Sequence, residues 1–174
     1  MIVEYHRPKT LNEALALLQR PHPLTIPLGG GVTVSRMKEP DCAVVDLQDL
    51  GLNQIISQGN LVKIGATVTL QQLVECEGLQ PDLILAARKE TTYNLRQRAT
   101  IAGSIVTGDG RSHLLSALLA LDAILIWAPG EQQMSLGDFL ALRGVRSPDA
   151  VLIAEIRVAN NLQLKYEYVA RTPE

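Results

Sequence analysis

Residues 27–35, Pro-Leu-Gly-Gly-Gly-Val-Thr-Val-Ser, form the stretch best suited to holding a charged ligand. Three consecutive glycines end the apolar run Leu24–Leu28 and open a short polar turn. Adjacent glycines are entropically costly, and a chain keeps them where a Cβ would obstruct something or φ must be positive. Backbone N–H groups in such a turn can converge into a concave nest that takes an anion, phosphate above all. Thr33 and Ser35 add hydroxyl donors. A tight turn after a strand is the plainer reading of the same run. A second segment, Ala99-Thr100-Ile101-Ala102-Gly103-Ser104, strengthens the ligand reading. Thr100, Gly103 and Ser104 offer a hydroxyl, a Cβ-free position and another hydroxyl. They precede the Asp109-Gly110-Arg111-Ser112 turn and a helix N-terminus, where donors point outward. Two such clamps, one per lobe, predict a long two-phosphate ligand in a crevice between lobes.

Other chemistries find little support. Gly-x-Gly-x-x-Gly between strand and helix is absent, as is the Gly-Lys-Ser/Thr of a P-loop, so neither common nucleotide fold fits. Cys42 and Cys76 lie far apart, and His6, His22 and His113 are isolated, so no metal site is expected from this chain. Arg96 and Arg98 read either as phosphate ligands or as solvated cations. Glu90, Thr91 and Thr92 read either as a ligand-facing edge or as the exposed end of a helix.

Composition sets the frame. At 174 residues, 47 % apolar and 20 % charged, the chain should form one ordinary domain or two small lobes sharing a core. A net charge of −2 with scattered basic residues gives no case for nucleic acid or a membrane surface. No signal peptide and no membrane-spanning apolar run are seen, so a cytoplasmic location is expected.

The elements that must position the two segments are legible from pattern. Ile2–Tyr5 reads as a strand. Thr10 and Glu13 read as a capping box, and Leu11, Ala14, Leu15 and Leu18 make one apolar helical face that Pro21 and Pro23 end. Leu24–Leu28 and the valine-rich Ala43–Leu47 are further strands. Residues 1–58 are thus expected to form an N-terminal β-α-β lobe carrying the first glycine turn. Residues 59–174 are expected to form a second α+β lobe. A hairpin, Gln54–Ser57 with Leu61–Ile64, turns at Gly59. Helices follow from Thr69 to Val74, from Pro81 toward Lys89, and from His113 to Leu121 behind Ser112. Ala123–Trp127 is a strand, Ser135 precedes a short helix to Leu142, and Val151–Val158 with Leu164–Ala170 form a last antiparallel pair. The fold class is α+β, with helices packed on small mixed sheets.

Several separated segments, taken in order, carry a resemblance: Tyr5–Ala14, the glycine turn through Arg36-Met37-Lys38, Ile64–Thr69, Asn94–Ser104 and Leu118–Ala123. Together the chain resembles the FAD-binding subunit or domain of molybdenum hydroxylases. That group includes the medium subunit of carbon monoxide dehydrogenase and the middle domain of xanthine dehydrogenase. The resemblance implies a two-lobed FAD-binding fold related to the vanillyl-alcohol-oxidase type. It implies that Leu28, Gly29, Gly30, Gly31, Val32, Thr33, Val34 and Ser35 wrap the FAD pyrophosphate. From the other lobe, Thr100, Ile101, Ala102, Gly103 and Ser104 would clamp the cofactor, with Asp109, His113 and Val151 completing the set. The flavin would pass electrons from an iron–sulfur subunit, in a complex with a molybdopterin-containing large subunit, to NAD or a quinone. The flavin does that chemistry, so no catalytic side chain is expected.

Four positions depart from the family pattern. Val32 stands where the family has Thr, Ala102 replaces Gly, Ser104 replaces Asn, and His113 replaces Asp. A lost hydrogen bond to a charged group costs roughly 1.5–3 kcal/mol. Four uncompensated losses would weaken FAD binding by several orders of magnitude. The alternative that follows is an FAD-free paralogue acting as a docking or assembly module. Family members normally continue into a further C-terminal α+β domain, which is expected to be absent from this 174-residue chain.

Overall fold

The computed structural model describes residues 1–33, 41–142 and 151–169. β1 (Ile2–His6) leads to Thr10, whose Oγ1 accepts the Glu13 N–H at 3.3 Å and opens α1 (Leu11–Gln19). The Glu13 carboxylate accepts the N–H of Lys9 at 3.1 Å, one residue ahead of the capping-box position. Ala14 and Leu15 are the buried face of α1. β2 (Thr25–Leu28) and β3 (Cys42–Asp46) complete a three-stranded sheet in the order β1-β3-β2, with both pairs parallel. β3 is central and buried at every position, which is why Cys42–Val45 reads as an apolar run; Asp46, buried at its end, accepts a hydrogen bond from the Tyr5 hydroxyl.

β4 (Ile55–Gln58) and β5 (Leu61–Gly65) form the expected hairpin, with Gly59 at φ 59° in its turn. The helices α2 (Leu70–Glu75), α3 (Pro81–Glu90), α4 (Tyr93–Arg96), α5 (Ile101–Thr107) and α6 (His113–Ala120) follow. The chain closes with β6 (Ile124–Ala128), β7 (Gln132–Ser135), α7 (Leu136–Ala141) and β8 (Leu152–Ala159). The second sheet is antiparallel with five strands in the order β4-β5-β8-β6-β7. Its larger core joins Val62, Ile64, Leu73, Ile105, Leu118 and Ile156, among others.

Four features differ from the sequence expectations. Residues 55–58 hydrogen-bond into the second sheet, not the first. Residues 101–107, to which the sequence pattern assigns no element, are helical, because Thr100 acts as an N-cap. β7 was not expected; its Gln132-Gln133 start carries no strand-like apolar alternation. Residues 164–169 form no strand. β8 takes β5 and β6 as its partners instead. The Leu164 and Tyr166 amides donate to Gln80 Oε1 at 2.9 Å and Asp82 Oδ1 at 3.0 Å, at the head of α3. Those side-chain acceptors occupy the donors a strand would have used.

The sheets are not separate bodies. Ala128 at the end of β6 and Leu152 at the start of β8 pack with Ala14, Leu15, Val45 and Leu47 of the first lobe. Among the described residues, no helix is long and apolar enough to cross a membrane.

Candidate functional site

A cavity of about 1100 Å³ lies where the two lobes meet, lined from both. That is at the upper end for small-molecule sites, large enough for an extended nucleotide. Its first wall is the glycine turn. A Cβ at Gly30 would stand 1.5 Å from the Arg98 carbonyl oxygen, and one at Gly29 would stand 2.7 Å from Thr100 Oγ1. Gly31 is the one of the three with positive φ, at 72°. The first two glycines therefore let the turn press directly on residues 98–100, and the third bends it. The Arg98 Nε–H donates to the Gly30 carbonyl at 3.3 Å. Among the described residues, the Gly29, Gly30 and Gly31 amides find no acceptor. They are backbone donors on the cavity wall of the kind an anion nest requires.

The opposite wall is built differently. Thr100 Oγ1 accepts the Gly103 N–H at 3.2 Å, and the Ser104 N–H donates to the Thr100 carbonyl at 2.9 Å. The Ile101 and Ala102 amides donate to Val68 and Ala66 carbonyls at 2.9 and 3.2 Å. Every donor of the first turn of α5 is thus spoken for. The segment presents side-chain and Cα surface to the cavity rather than amide donors.

The N-terminus of α6, expected to offer donors to a ligand, is filled by the chain itself. The Leu115 N–H donates to Ser112 Oγ at 3.0 Å, and the Leu114 N–H donates to Glu90 Oε2 at 2.9 Å. The Ser112 hydroxyl lies 2.9 Å from both Glu90 oxygens. Asp109 is engaged elsewhere: the Arg111 backbone N–H reaches Oδ1 at 2.9 Å and the guanidinium Nη2 reaches Oδ2 at 2.7 Å.

Of the residues expected to face a ligand, Gly29, Gly30, Gly31, Val32 and Thr33 line this cavity from the first lobe. Thr100, Ala102, Gly103, Ser104, Asp109 and Val151 line it from the second. Leu28 and Ile101 do not; Ile101 is fully buried in the larger core. His113 is also elsewhere. It borders a smaller cavity of about 280 Å³, and its Nδ1 bonds the Tyr166 hydroxyl. Burial pushes that phenol above its ordinary range, with the neighbouring Tyr168 adding to the shift. The segment 164–169 draws His113 to the outer side of α6, which pattern reading did not foresee. Val34, Ser35 and Arg36-Met37-Lys38 lie outside the described residues.

Sequence reasoning missed part of the wall. Thr67 and Trp127 both line the cavity, and the Thr67 hydroxyl and the Trp127 indole N–H are buried without a hydrogen-bond partner. Buried polar atoms are seldom left so, and their rarity marks a site. A signal for Thr67 was present: Gly65, two residues earlier, meets the Leu52 carbonyl at 2.2 Å from its ideal Cβ position. Glycine there brings 52–53 against the end of β5, and the Thr67 N–H donates to that same Leu52 carbonyl at 2.9 Å.

The profile of the FAD binding domain in molybdopterin dehydrogenase matches residues 1–159. The chain belongs to that family. The uncharacterized protein YgfM of Escherichia coli K12 is 31 % identical over 143 residues, which is 81 % of this chain and 55 % of that protein. The carbon monoxide dehydrogenase medium chain of Afipia carboxidovorans is 31 % identical over 131 residues, 69 % of this chain and 44 % of that one. The chain thus spans about half the length of these curated relatives. Among solved structures, carbon monoxide dehydrogenase from Hydrogenophaga pseudoflava superposes with a TM-score of 0.82 at 26 % identity, over 99 % of this chain and 65 % of that one. Quinoline 2-oxidoreductase from Pseudomonas putida 86 shares the fold, with a TM-score of 0.81 at 20 % identity, over 97 % of this chain and 63 % of that one.

This FAD-binding-domain architecture fits its cofactor on three observations. The glycine amides have no acceptor among the described residues, two buried polar atoms lack partners, and part of the remaining wall is apolar, with Leu47, Leu95, Phe139 and Ile153. Apolar walls with a few placed polar groups are the usual make-up of cofactor pockets.

Proposed function

We propose that this chain carries FAD in the interlobe cavity as the electron-transfer component of a molybdenum hydroxylase-type complex in the cytoplasm. The observation that carries the reading is the set of Gly29–Gly31 amides without an acceptor among the described residues, on the large interlobe cavity of a chain whose family is the FAD binding domain in molybdopterin dehydrogenase. These amides take the pyrophosphate, with Val32 and Thr33 continuing the turn around it. Thr100, Ala102, Gly103 and Ser104 form the facing wall. Bound FAD supplies reversible electron transfer, between an iron–sulfur partner and an acceptor such as NAD or a quinone. The protein binds and orients it and excludes water, and no side chain acts as a general acid or base. The partners are an iron–sulfur subunit and a molybdopterin-containing subunit; relatives named as carbon monoxide dehydrogenase and nicotine 6-hydroxylase medium chains support such an assembly.

One observation favours the second reading, an FAD-free docking module: the first turn of α5 has no amide left to offer. A single titration separates the two. Purified protein should bind added FAD at micromolar affinity or better, seen as flavin fluorescence quenching and a rise in melting temperature. Protein that stays colourless and unshifted in excess FAD sinks the flavin reading.

A further inference from the structure

Two carboxylates line the cavity, Glu90 and Asp109, and their surroundings differ. Asp109 lies in the fork of Arg111, which neutralises it. Glu90, the last residue of α3, is held among the described residues by neutral donors, the Ser112 hydroxyl and the Leu114 amide at the head of α6. An ionised carboxylate has about four lone-pair sites, and one hydroxyl and one amide leave acceptor capacity unused. Thr67, 8 % exposed on the same cavity, has a hydroxyl with no partner, an independent sign that the cavity is shaped for a polar ligand. The anchoring bonds fix the Glu90 carboxylate in place, so little entropy is lost when a ligand donor meets it. Charge decides what it can meet. A phosphate near Glu90 would face a fixed negative charge, whereas a hydroxyl gains a charge-assisted bond.

We propose that Glu90 is the hydroxyl acceptor of the cavity: it holds a sugar-type hydroxyl of the bound flavin nucleotide and turns the phosphates toward Gly29–Gly31. The inference rests on the FAD reading above. The hydroxyl belongs to a vicinal polyol, carried by either the ribityl chain or the adenosine ribose. Glu90 is a positioning and specificity residue, and it supplies the acid that position 113 lacks, since His113 faces away toward Tyr166.

The test is a double-mutant cycle read by FAD titration of the whole chain. Wild-type protein and Glu90→Gln are each titrated with FAD, with a 2′-deoxyribityl analogue and with a 2′,3′-dideoxyribose analogue. In wild type, one analogue should bind about ten- to a hundredfold more weakly than FAD, the usual loss of a hydrogen bond to a charged group. Which analogue it is identifies the ribityl chain or the ribose as the source. In Glu90→Gln, FAD itself should weaken by a similar factor and the analogue penalty should vanish, a coupling that mere loss of the α6 cap would not produce. Should the variant fail to fold, the wild-type analogue series decides alone: equal affinity for all three ligands overturns the proposal. A folded Glu90→Gln that binds FAD as wild type also overturns it. Wild-type protein that binds no FAD overturns the flavin reading first, and this inference with it.

Discussion

At the scale of single residues, the glycine run is explained by what stands behind it. Gly30 has no room for a methyl, because its ideal Cβ position falls 1.5 Å from a backbone oxygen that cannot swing aside. Gly30→Ala must push the turn off residues 98–100 or leave a severe overlap, and overpacking of that kind costs about 1–3 kcal/mol or more. Gly59→Ala is the matched control. Its φ of 59° is strained for alanine, but nothing lies within 4 Å of the added methyl, so about 1–2 kcal/mol is expected. Urea denaturation should rank Gly30→Ala as the larger loss. FAD affinity should fall for Gly30→Ala and hold for Gly59→Ala; equal behaviour of the two would mean the turn does not press on Arg98. The sequence shows that three glycines in a row must serve close approach or positive φ. It does not show what they approach, because Arg98 is 68 residues away along the chain and only the fold brings it near. The same limit hid the role of Thr67 and the turning-away of His113, each decided by a distant segment.

At the scale of elements, local signals carried furthest where the physics is local. Thr10 and Ser112 as N-caps, Pro81 as a first helical residue and Gly59 as a hairpin turn all stand where their chemistry places them. Residues 164–169 and β7 were not legible, since their pairing depends on acceptors and edges supplied by other elements. The ends of α1 show how such long-range ties work. Arg20, the residue that ends α1, reaches Glu4 on β1 at 2.6 Å and Thr25 on β2 at 2.8 Å, and His6 meets the same Glu4 oxygen at 2.8 Å. The hydrogen bond from His6, then that from Arg20, holds the Glu4 carboxyl below its ordinary range. A carboxylate whose folded pKa lies below its unfolded one stabilises the fold fully above the unfolded value. That contribution is lost as pH falls through the folded value. Melting temperature should therefore decline more steeply for wild type than for Glu4→Gln on acidification from pH 5 downward, and the two curves should converge at the acid end. Parallel curves would show that the Glu4 cluster carries no pH dependence. The effect is a small one, because the Glu4 carboxylate is partly exposed and solvent screens the cluster.

At the scale of the whole molecule, the cavity depends on a core that both lobes share. β6 and β8 belong to the five-stranded sheet, yet Ala128 and Leu152 at their ends pack with α1 and β3. Opening the cleft would strip apolar surface from both sides, so the lobes should unfold together. Trp127, the single tryptophan, sits one residue before Ala128 on the cavity wall and tilts against Phe139 at 5.7 Å between ring centroids. It reports on the site and on the joint at once. Its fluorescence and far-ultraviolet circular dichroism should trace one coincident thermal transition, the mark of a two-state domain. Flavin absorbs where indole emits, so FAD should quench Trp127 in a saturable way. Saturating FAD, about a hundred times its Kd, should stabilise the chain by about 2.7 kcal/mol and move both transitions upward together. If the two probes separate, or only one moves with FAD, the lobes fold independently and the cofactor does not span them. A single transition that FAD raises, with quenching following the same binding curve, ties the glycine turn, the α5 wall and the shared core into one FAD-binding unit.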